Sequence, residues 1–159
     1  MLEEKKERLN ALIRGNEGKR ILKHFLPKLV ETLNQPALNI KFISLEETDS
    51  LRFSFYKAFK QAEKNPKNAY IGSDLNKLYD CIKKVGLNKN QNKGYVFFRD
   101  SDKFGALELN FTDFLKHALE LLHLDGDTVY FLFKDSTKGF YLTYSKNKDK
   151  SIYEVISIS

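Results

Sequence analysis

The first half of the chain repeats its apolar positions at three- and four-residue steps, which is the spacing of one face of an α-helix. Leu2 to Arg14 predicts a short exposed helix that ends at a Gly15–Gly18 break. From Ile21 to Leu33 a broad apolar face predicts an amphipathic helix with a kink at Pro27, because proline removes one backbone hydrogen bond. Residues 37–45 alternate apolar and polar side chains and predict a strand.

The stretch from Asp49 to Lys64 fits two patterns. Its first apolar residues alternate as in a strand, whereas the whole stretch carries apolar residues at helical spacing. The longer pattern favours a helix, with Thr48 or Asp49 as its N-cap. A further helix is predicted to open at Ser73 or Asp74, because each has a side-chain oxygen that can accept from the first helical N–H groups.

Short apolar runs separated by polar turns dominate the second half of the chain. Two of them predict a hairpin, a helix opens at Thr112, and three more runs predict an antiparallel meander: these runs are 95–99 and 104–109, then 129–134, 140–145 and 152–158. Helices first and strands later predict an α+β fold, with N-terminal helices packed on an antiparallel sheet of about five strands. We expect one domain over residues 1–159, with residues 1–15 as a helix whose attachment can be loose.

The composition predicts a globular protein of a reducing compartment. The 159 residues are 42% hydrophobic, which is enough for a core. Cys81 is the one cysteine and has no second thiol for an internal disulfide. The charged N-terminus does not fit a secretory signal, and every apolar run is far shorter than the ~20 residues that span a bilayer. We expect a cytoplasmic protein without a membrane association.

The net charge of +6 is unevenly distributed. Nine lysines oppose three acidic residues between Lys57 and Lys93, whereas seven acidic residues oppose two lysines between Asp100 and Asp127. Charge of one sign on a surface attracts partners of the other sign. The chain is therefore predicted to carry one basic and one acidic region.

No motif predicts catalysis, a metal or a cofactor. Cys81 lies between apolar positions of a predicted helix, where cysteine usually packs as a small hydrophobic residue. The segment 100–105 starts like a calcium loop, but Phe111 stands where a bidentate Glu is needed. The histidines lack the spacing of metal ligands on one helix face: they are His24, His117 and His123.

The last third of the chain resembles the helix-plus-meander ends of small bacterial immunity proteins, including those paired with contact-dependent inhibition toxins. The similar segments are FGALELNFTDFLKHALELL, DGDTVYFLF and SIYEVISIS. The resemblance implies a cytosolic protein that binds a cognate toxin domain and blocks its active site. Since inhibitors of nuclease toxins tend to be acidic, the positive net charge argues against a nuclease target unless the acidic region is the contact face.

Three functions remain open at this point. An immunity protein would meet a basic toxin surface with acids on turns, namely Asp100, Asp102, Asp125 and Asp127. A nucleic-acid-binding accessory protein would use lysines of the basic region, namely Lys57, Lys60, Lys64, Lys67, Lys83 and Lys84, with Tyr56 and Tyr70 stacking on bases. An enzyme would need an unrecognised site, such as a pocket that holds His24 or His117 against a carboxylate. The oligomeric state is not predicted.

Overall fold

A computed structural model describes residues 1–66, 69–86, 92–124, 126–134 and 138–158. Helices and strands follow one another in an α+β order, which confirms the predicted fold class. In chain order they are α1 (Leu2–Leu33), a 3₁₀ turn (Ala37–Asn39), β1 (Lys41–Phe42), α2 (Leu45–Lys64), β2 (Tyr70–Gly72), α3 (Leu75–Gly86), β3 (Lys93–Phe97), α4 (Ser101–Phe104), β4 (Leu107–Asn110), α5 (Phe111–Lys116), α6 (Ala118–Leu122), β5 (Thr128–Phe133), β6 (Gly139–Asn147) and β7 (Lys150–Ile158).

The strands form one antiparallel sheet in the order β1-β4-β3-β5-β6-β7-β2. The consecutive pairs β5–β6 and β6–β7 are the predicted meander, which is confirmed. Within the described part of the chain the sheet has seven strands, where about five were expected. The very short β1 and β2 lie at its two edges. β1 falls within the strand predicted over 37–45, whereas the three residues of β2 are too few for a clear alternating pattern.

The two faces of the sheet carry two hydrophobic cores. Along β5, Val129, Phe131 and Phe133 belong to the larger core, and Tyr130 and Leu132 to the smaller one. Neighbouring residues of a strand point to opposite faces. Residues of α1, α3, α4, α5 and α6 complete the larger core, whereas Phe55 of α2 packs in the smaller one. In the described part of the chain, α2 therefore covers one face of the sheet and the other helices cover the opposite face.

The predicted break at Gly15–Gly18 is wrong, because α1 runs without interruption from Leu2 to Leu33 and includes Pro27. Gly18 is buried, and a Cβ atom placed on it would lie 1.8 Å from the backbone oxygen of Lys103. A helix tolerates glycine at a cost of about 0.5–1 kcal/mol relative to alanine. Gly18 is thus explained by the close approach of α4 to α1. Residues 2–13 of this helix are exposed.

The helix predicted for Asp49 to Lys64 is confirmed, but it begins one turn earlier. Its N-cap is Ser44 and not Thr48 or Asp49, since the Ser44 hydroxyl accepts from the Glu47 N–H at 3.1 Å. The Thr48 side chain is fully buried. Its hydroxyl donates to the Ser44 carbonyl at 2.8 Å and accepts from the Ala106 N–H at 3.0 Å, so Thr48 joins α2 to the start of β4.

Several helices and strands begin or end at other residues than the sequence predicts. The strand expected over 37–45 shrinks to β1, because backbone hydrogen bonds of the 3₁₀ turn take up its first residues. The predicted hairpin is confirmed as the β3–β4 pair, although its second strand begins at Leu107 after the helical turn α4. The helix expected from Thr112 begins at Phe111 and divides at His117 into α5 and α6. Asp74 caps α3 as predicted, accepting from the Asn76 N–H at 3.0 Å.

Candidate partner-binding groove

Of the acidic residues predicted to meet a partner, Asp100 lies in an ion-pair network within the chain, and Asp102 is bound to α1 through its backbone carbonyl. The Asp100 carboxylate lies 3.5 Å from the Arg99 guanidinium and 3.6 Å from the Lys103 ammonium, and its side chain is only 18% exposed. Lys103 also pairs with Glu17 of α1 at 3.2 Å. The backbone carbonyl of Asp102 accepts a hydrogen bond from Nε of Arg14. These contacts hold α4 against α1.

Asp127 lies at the beginning of β5, 64% exposed, with its carboxylate 3.7 Å from Nδ1 of His123. It lines one cavity together with Arg99, so the structure brings Asp127 to the end of the sheet where the Arg99–Asp100 segment lies. Asp125 falls outside the described residues. Asp100 and Asp127 thus have basic side chains nearby, and this end of the sheet carries charges of both signs.

The predicted basic residues are divided between the two faces of the sheet. Lys57, Lys60 and Lys64 belong to α2 on the smaller-core face, whereas Lys83 and Lys84 belong to α3 on the other face. Lys67 falls outside the described residues. The Tyr70 hydroxyl accepts from the Asp74 N–H at 2.8 Å. The five of these lysines that lie in the described ranges are therefore not together in one patch.

A cavity between α2 and the sheet was not predicted. Its volume is about 180 Å³, and most of its lining is aromatic: Arg52, Phe55, Tyr56, Phe59, Phe97 and Tyr130. Phe55 stacks on Phe97 at a ring-centre distance of 6.0 Å. Tyr130 meets Phe55 and Phe59 edge to face at 5.1 and 5.6 Å. The packed rings give the cavity a fixed, apolar wall.

A second cavity continues from the first. It is lined by Arg52, Phe98, Arg99, Gly126, Asp127, Thr128 and Tyr130 and has a volume of about 330 Å³. Arg52 and Tyr130 line both cavities. We call the two together the α2 groove, which runs from an aromatic end under α2 to a mixed-charge end at Arg99 and Asp127.

Two aromatic side chains of α2 are exposed, and one of them, Tyr56, lines the α2 groove. Phe53 is 70% exposed and Tyr56 is 57% exposed. The Lys57 ammonium lies 5.2 Å from the ring centre of Phe53, and Lys60 lies 5.3 Å from that of Tyr56. Burial raises the pKa of the Tyr130 hydroxyl, while the nearby Arg52 charge opposes this effect. Tyr130 therefore offers a neutral hydroxyl to the groove.

Helical spacing builds one wall of the α2 groove. Arg52, Phe55, Tyr56 and Phe59 recur at three- and four-residue steps and so lie along one side of α2. Phe55 and Phe59 belong to the apolar pattern that predicts the helix. Arg52 at the border of that pattern is a signal that could have indicated a site, but it is not among the predicted site residues. The opposite wall comes from Phe97 and Tyr130, which are paired across β3 and β5.

Comparisons of the chain with protein-family models, curated proteins and solved structures found no match.

Two further findings concern the part of the chain that the structure describes. Histidine, cysteine and carboxylate side chains there form no group of three or more that could hold a metal ion. None of the helices in the same ranges has the length and apolar character needed to cross a membrane.

Proposed function

We propose that this protein binds a protein partner through the α2 groove, and that the partner is a bacterial toxin domain that it neutralises. The observation that carries the proposal is an open aromatic cavity with the exposed Arg52 and Tyr56 in its lining. Aromatic residues and arginine are enriched at the centres of protein interfaces and dominate their binding energy. Exposed apolar groups with a polar rim are typical of interaction sites.

The toxin assignment is supported by the resemblance of the last third of the chain to small bacterial immunity proteins. The resemblance depends on helices followed by a meander. The elements α5 and α6 followed by β5, β6 and β7 have that order. An immunity protein acts by covering a surface of its toxin. A groove with packed walls is suited to this kind of binding.

The charged end of the α2 groove gives the predicted acids a defined place in this proposal. Asp127 is exposed inside the groove and can pair with a cation of the toxin. Asp100 pairs with Arg99 of the groove at 3.5 Å, and Asp102 belongs to α4 beyond it. Charges around an interface mainly set the rate and specificity of association. We expect Asp127→Lys to slow association more than it changes dissociation.

Co-expression tests the proposal. The chain is produced together with each protein encoded beside its gene, and growth and complex formation are measured. We expect the wild-type chain to restore growth against one of these proteins and to co-purify with it. The Arg52→Glu variant should do neither, while Arg8→Glu, the same charge change on the exposed part of α1, should behave as wild type. A wild-type chain that restores growth against none of them contradicts the proposal.

Nucleic-acid binding is the second candidate, favoured by the cation–aromatic pairs Lys57–Phe53 and Lys60–Tyr56 on α2. Lysines neutralise phosphates and exposed rings stack on bases. A mobility-shift assay at low salt with single-stranded and double-stranded oligonucleotides tests it. Binding that falls steeply with salt, and that is lost in the Lys57→Ala, Lys60→Ala double variant, would favour this function over a protein partner.

A further inference from the structure

We infer that the α2 groove recognises an acidic segment of a protein, seating one apolar side chain in the aromatic cavity and pairing neighbouring carboxylates with Arg52 and Arg99. This inference deepens the proposed function and rests on its statement that the partner is a protein, but it does not require that the partner be a toxin.

The volume of the aromatic cavity decides what it can hold. At about 180 Å³ it is slightly larger than an engineered apolar cavity of about 150 Å³ that binds benzene in another protein. Sites for cofactors and small-molecule ligands usually occupy about 300–1,000 Å³. The aromatic cavity therefore matches one ring or one leucine-sized side chain. This is the size of a single anchor residue from a partner.

The walls of the cavity favour an apolar guest. Four of the six lining side chains are rings that already contact one another, so the wall is in place before a partner arrives. Because the guest does not have to order these side chains, less entropy is lost on binding. Arg52 and Tyr56 are exposed and form the mouth, so a side chain can enter from solvent.

The charges along the groove define the residues that flank the anchor. Arg52 borders the aromatic cavity and the cavity beyond it, and Arg99, with its side chain 69% exposed, comes next. A guanidinium pairs with a carboxylate through two parallel hydrogen bonds. Arg99 already lies 3.5 Å from Asp100, so an incoming carboxylate would share it. We therefore expect the strongest acidic preference beside Arg52.

Asp127 distinguishes a peptide from a nucleic acid. Its exposed carboxylate stands in the same cavity as Arg99. A phosphate backbone would carry a negative charge at every step along the groove and would meet Asp127 with repulsion. A peptide can place an acid beside Arg52 and a neutral or basic residue beside Asp127. The mixed charge thus favours a peptide segment.

Fluorescence anisotropy with four labelled probes tests the inference on the full chain. The probes are nine-residue peptides with the central sequences Asp-Phe-Asp, Asp-Ala-Asp and Lys-Phe-Lys, and a single-stranded oligonucleotide of ten thymidines. We expect Asp-Phe-Asp to bind most tightly, at least tenfold tighter than Asp-Ala-Asp, and Lys-Phe-Lys not to bind. The ring signals of Tyr130 and Phe97 in NMR spectra should shift only with the Phe-containing acidic peptide.

Variants locate the binding. Arg52→Glu should abolish binding of the Asp-Phe-Asp peptide and Arg99→Glu should weaken it, while Arg8→Glu should leave it unchanged. Equal affinity for Asp-Phe-Asp and Asp-Ala-Asp, no binding of any peptide, or Arg52-dependent binding of the oligonucleotide alone would each overturn the inference. Expected peptide binding without growth rescue in co-expression would contradict toxin neutralisation only. Rescue that depends on Arg52, without a preference for the Phe peptide, would contradict the inference only.

Discussion

Arg14 of α1 and Asp49 of α2 form a two-point ion pair, with Nη1–Oδ2 and Nη2–Oδ1 distances of 2.8 and 2.7 Å. These helices cover opposite faces of the sheet, so the pair joins the two helical layers of the protein. The Arg14 hydrogen bond holds the pKa of the Asp49 carboxyl below its ordinary value. The same arginine also donates to the Asp102 carbonyl and so ties α4 to this junction.

The first prediction concerns this ion pair. Asp49→Asn should lower the free energy of unfolding by about 1 kcal/mol at pH 7, since both side chains are partly exposed. The pKa of the Asp49 carboxyl is lower in the folded state than in the unfolded state. The stabilisation by the ion pair is therefore complete above the unfolded pKa of about 4, and it is lost as the pH falls through the folded-state pKa. Urea unfolding at pH 7 and pH 3 measures the difference between wild type and variant.

We expect that difference to shrink at pH 3. Glu7→Gln, which removes the same charge from the exposed part of α1, should change stability little at either pH. An Asp49→Asn effect of equal size at both pH values would mean that the carboxylate does not act through Arg14.

The second prediction compares two glycines of α1. Gly18→Ala should destabilise the protein by about 1–3 kcal/mol, because its Cβ would collide with the rigid backbone oxygen of Lys103. Gly15→Ala should stabilise it by about 0.5–1 kcal/mol. A Cβ atom placed on Gly15 would have no atom within 4 Å apart from the neighbouring backbone of α1, and alanine favours the helix. Thermal unfolding of both variants checks the prediction. Equal stability of the two would contradict the close packing of α4 on α1.

The third prediction concerns the buried hydroxyl of Thr48. Thr48→Val should cost about 1–3 kcal/mol, because the Ala106 N–H loses its acceptor in a buried place. Thr48→Ser keeps the hydroxyl and should retain most of the stability. Hydrogen exchange of the Ala106 amide provides a local readout and should be faster in the valine variant alone. Unchanged exchange would contradict the hydrogen bond between α2 and this amide.

The fourth prediction tests which side of α2 faces the sheet. Phe55 is 6% exposed, and Phe55→Ala should lower the free energy of unfolding by about 3–5 kcal/mol. The neighbouring Tyr56 is largely exposed, and Tyr56→Ala should cost less than about 1 kcal/mol. Urea unfolding of the two variants gives the comparison. A larger loss for Tyr56→Ala would require α2 to be turned about its axis.

The sequence predicts this fold best where interactions are local. The meander follows from alternation within β5, β6 and β7, and Asp74 caps α3 from two residues away. The break predicted at Gly15–Gly18 is wrong because the residue that explains Gly18, Lys103 with its backbone carbonyl, lies far away in the chain. Nothing near a glycine in sequence distinguishes a helix break from a place where another backbone approaches.

The candidate site was harder to predict than the fold. Its walls come from α2, Phe97 and Tyr130, which are brought together only by the pairing of β3 with β5 and the packing of α2. Charge counts along the chain predict the acidic region. They do not predict ion pairs between distant segments, such as the one between Lys103 and Glu17. Charge counts therefore located the residues and not their partners.

The two edge strands affect how this protein folds during its synthesis on the ribosome. β1 and β2 come from the first half of the chain, but they pair with β4 and β7, which are synthesised later. The helices α1, α2 and α3 therefore leave the exit tunnel before the sheet that covers their apolar faces exists. Nascent chains that stop before β7 should need chaperone protection, because exposed apolar surface and unpaired strand edges promote aggregation.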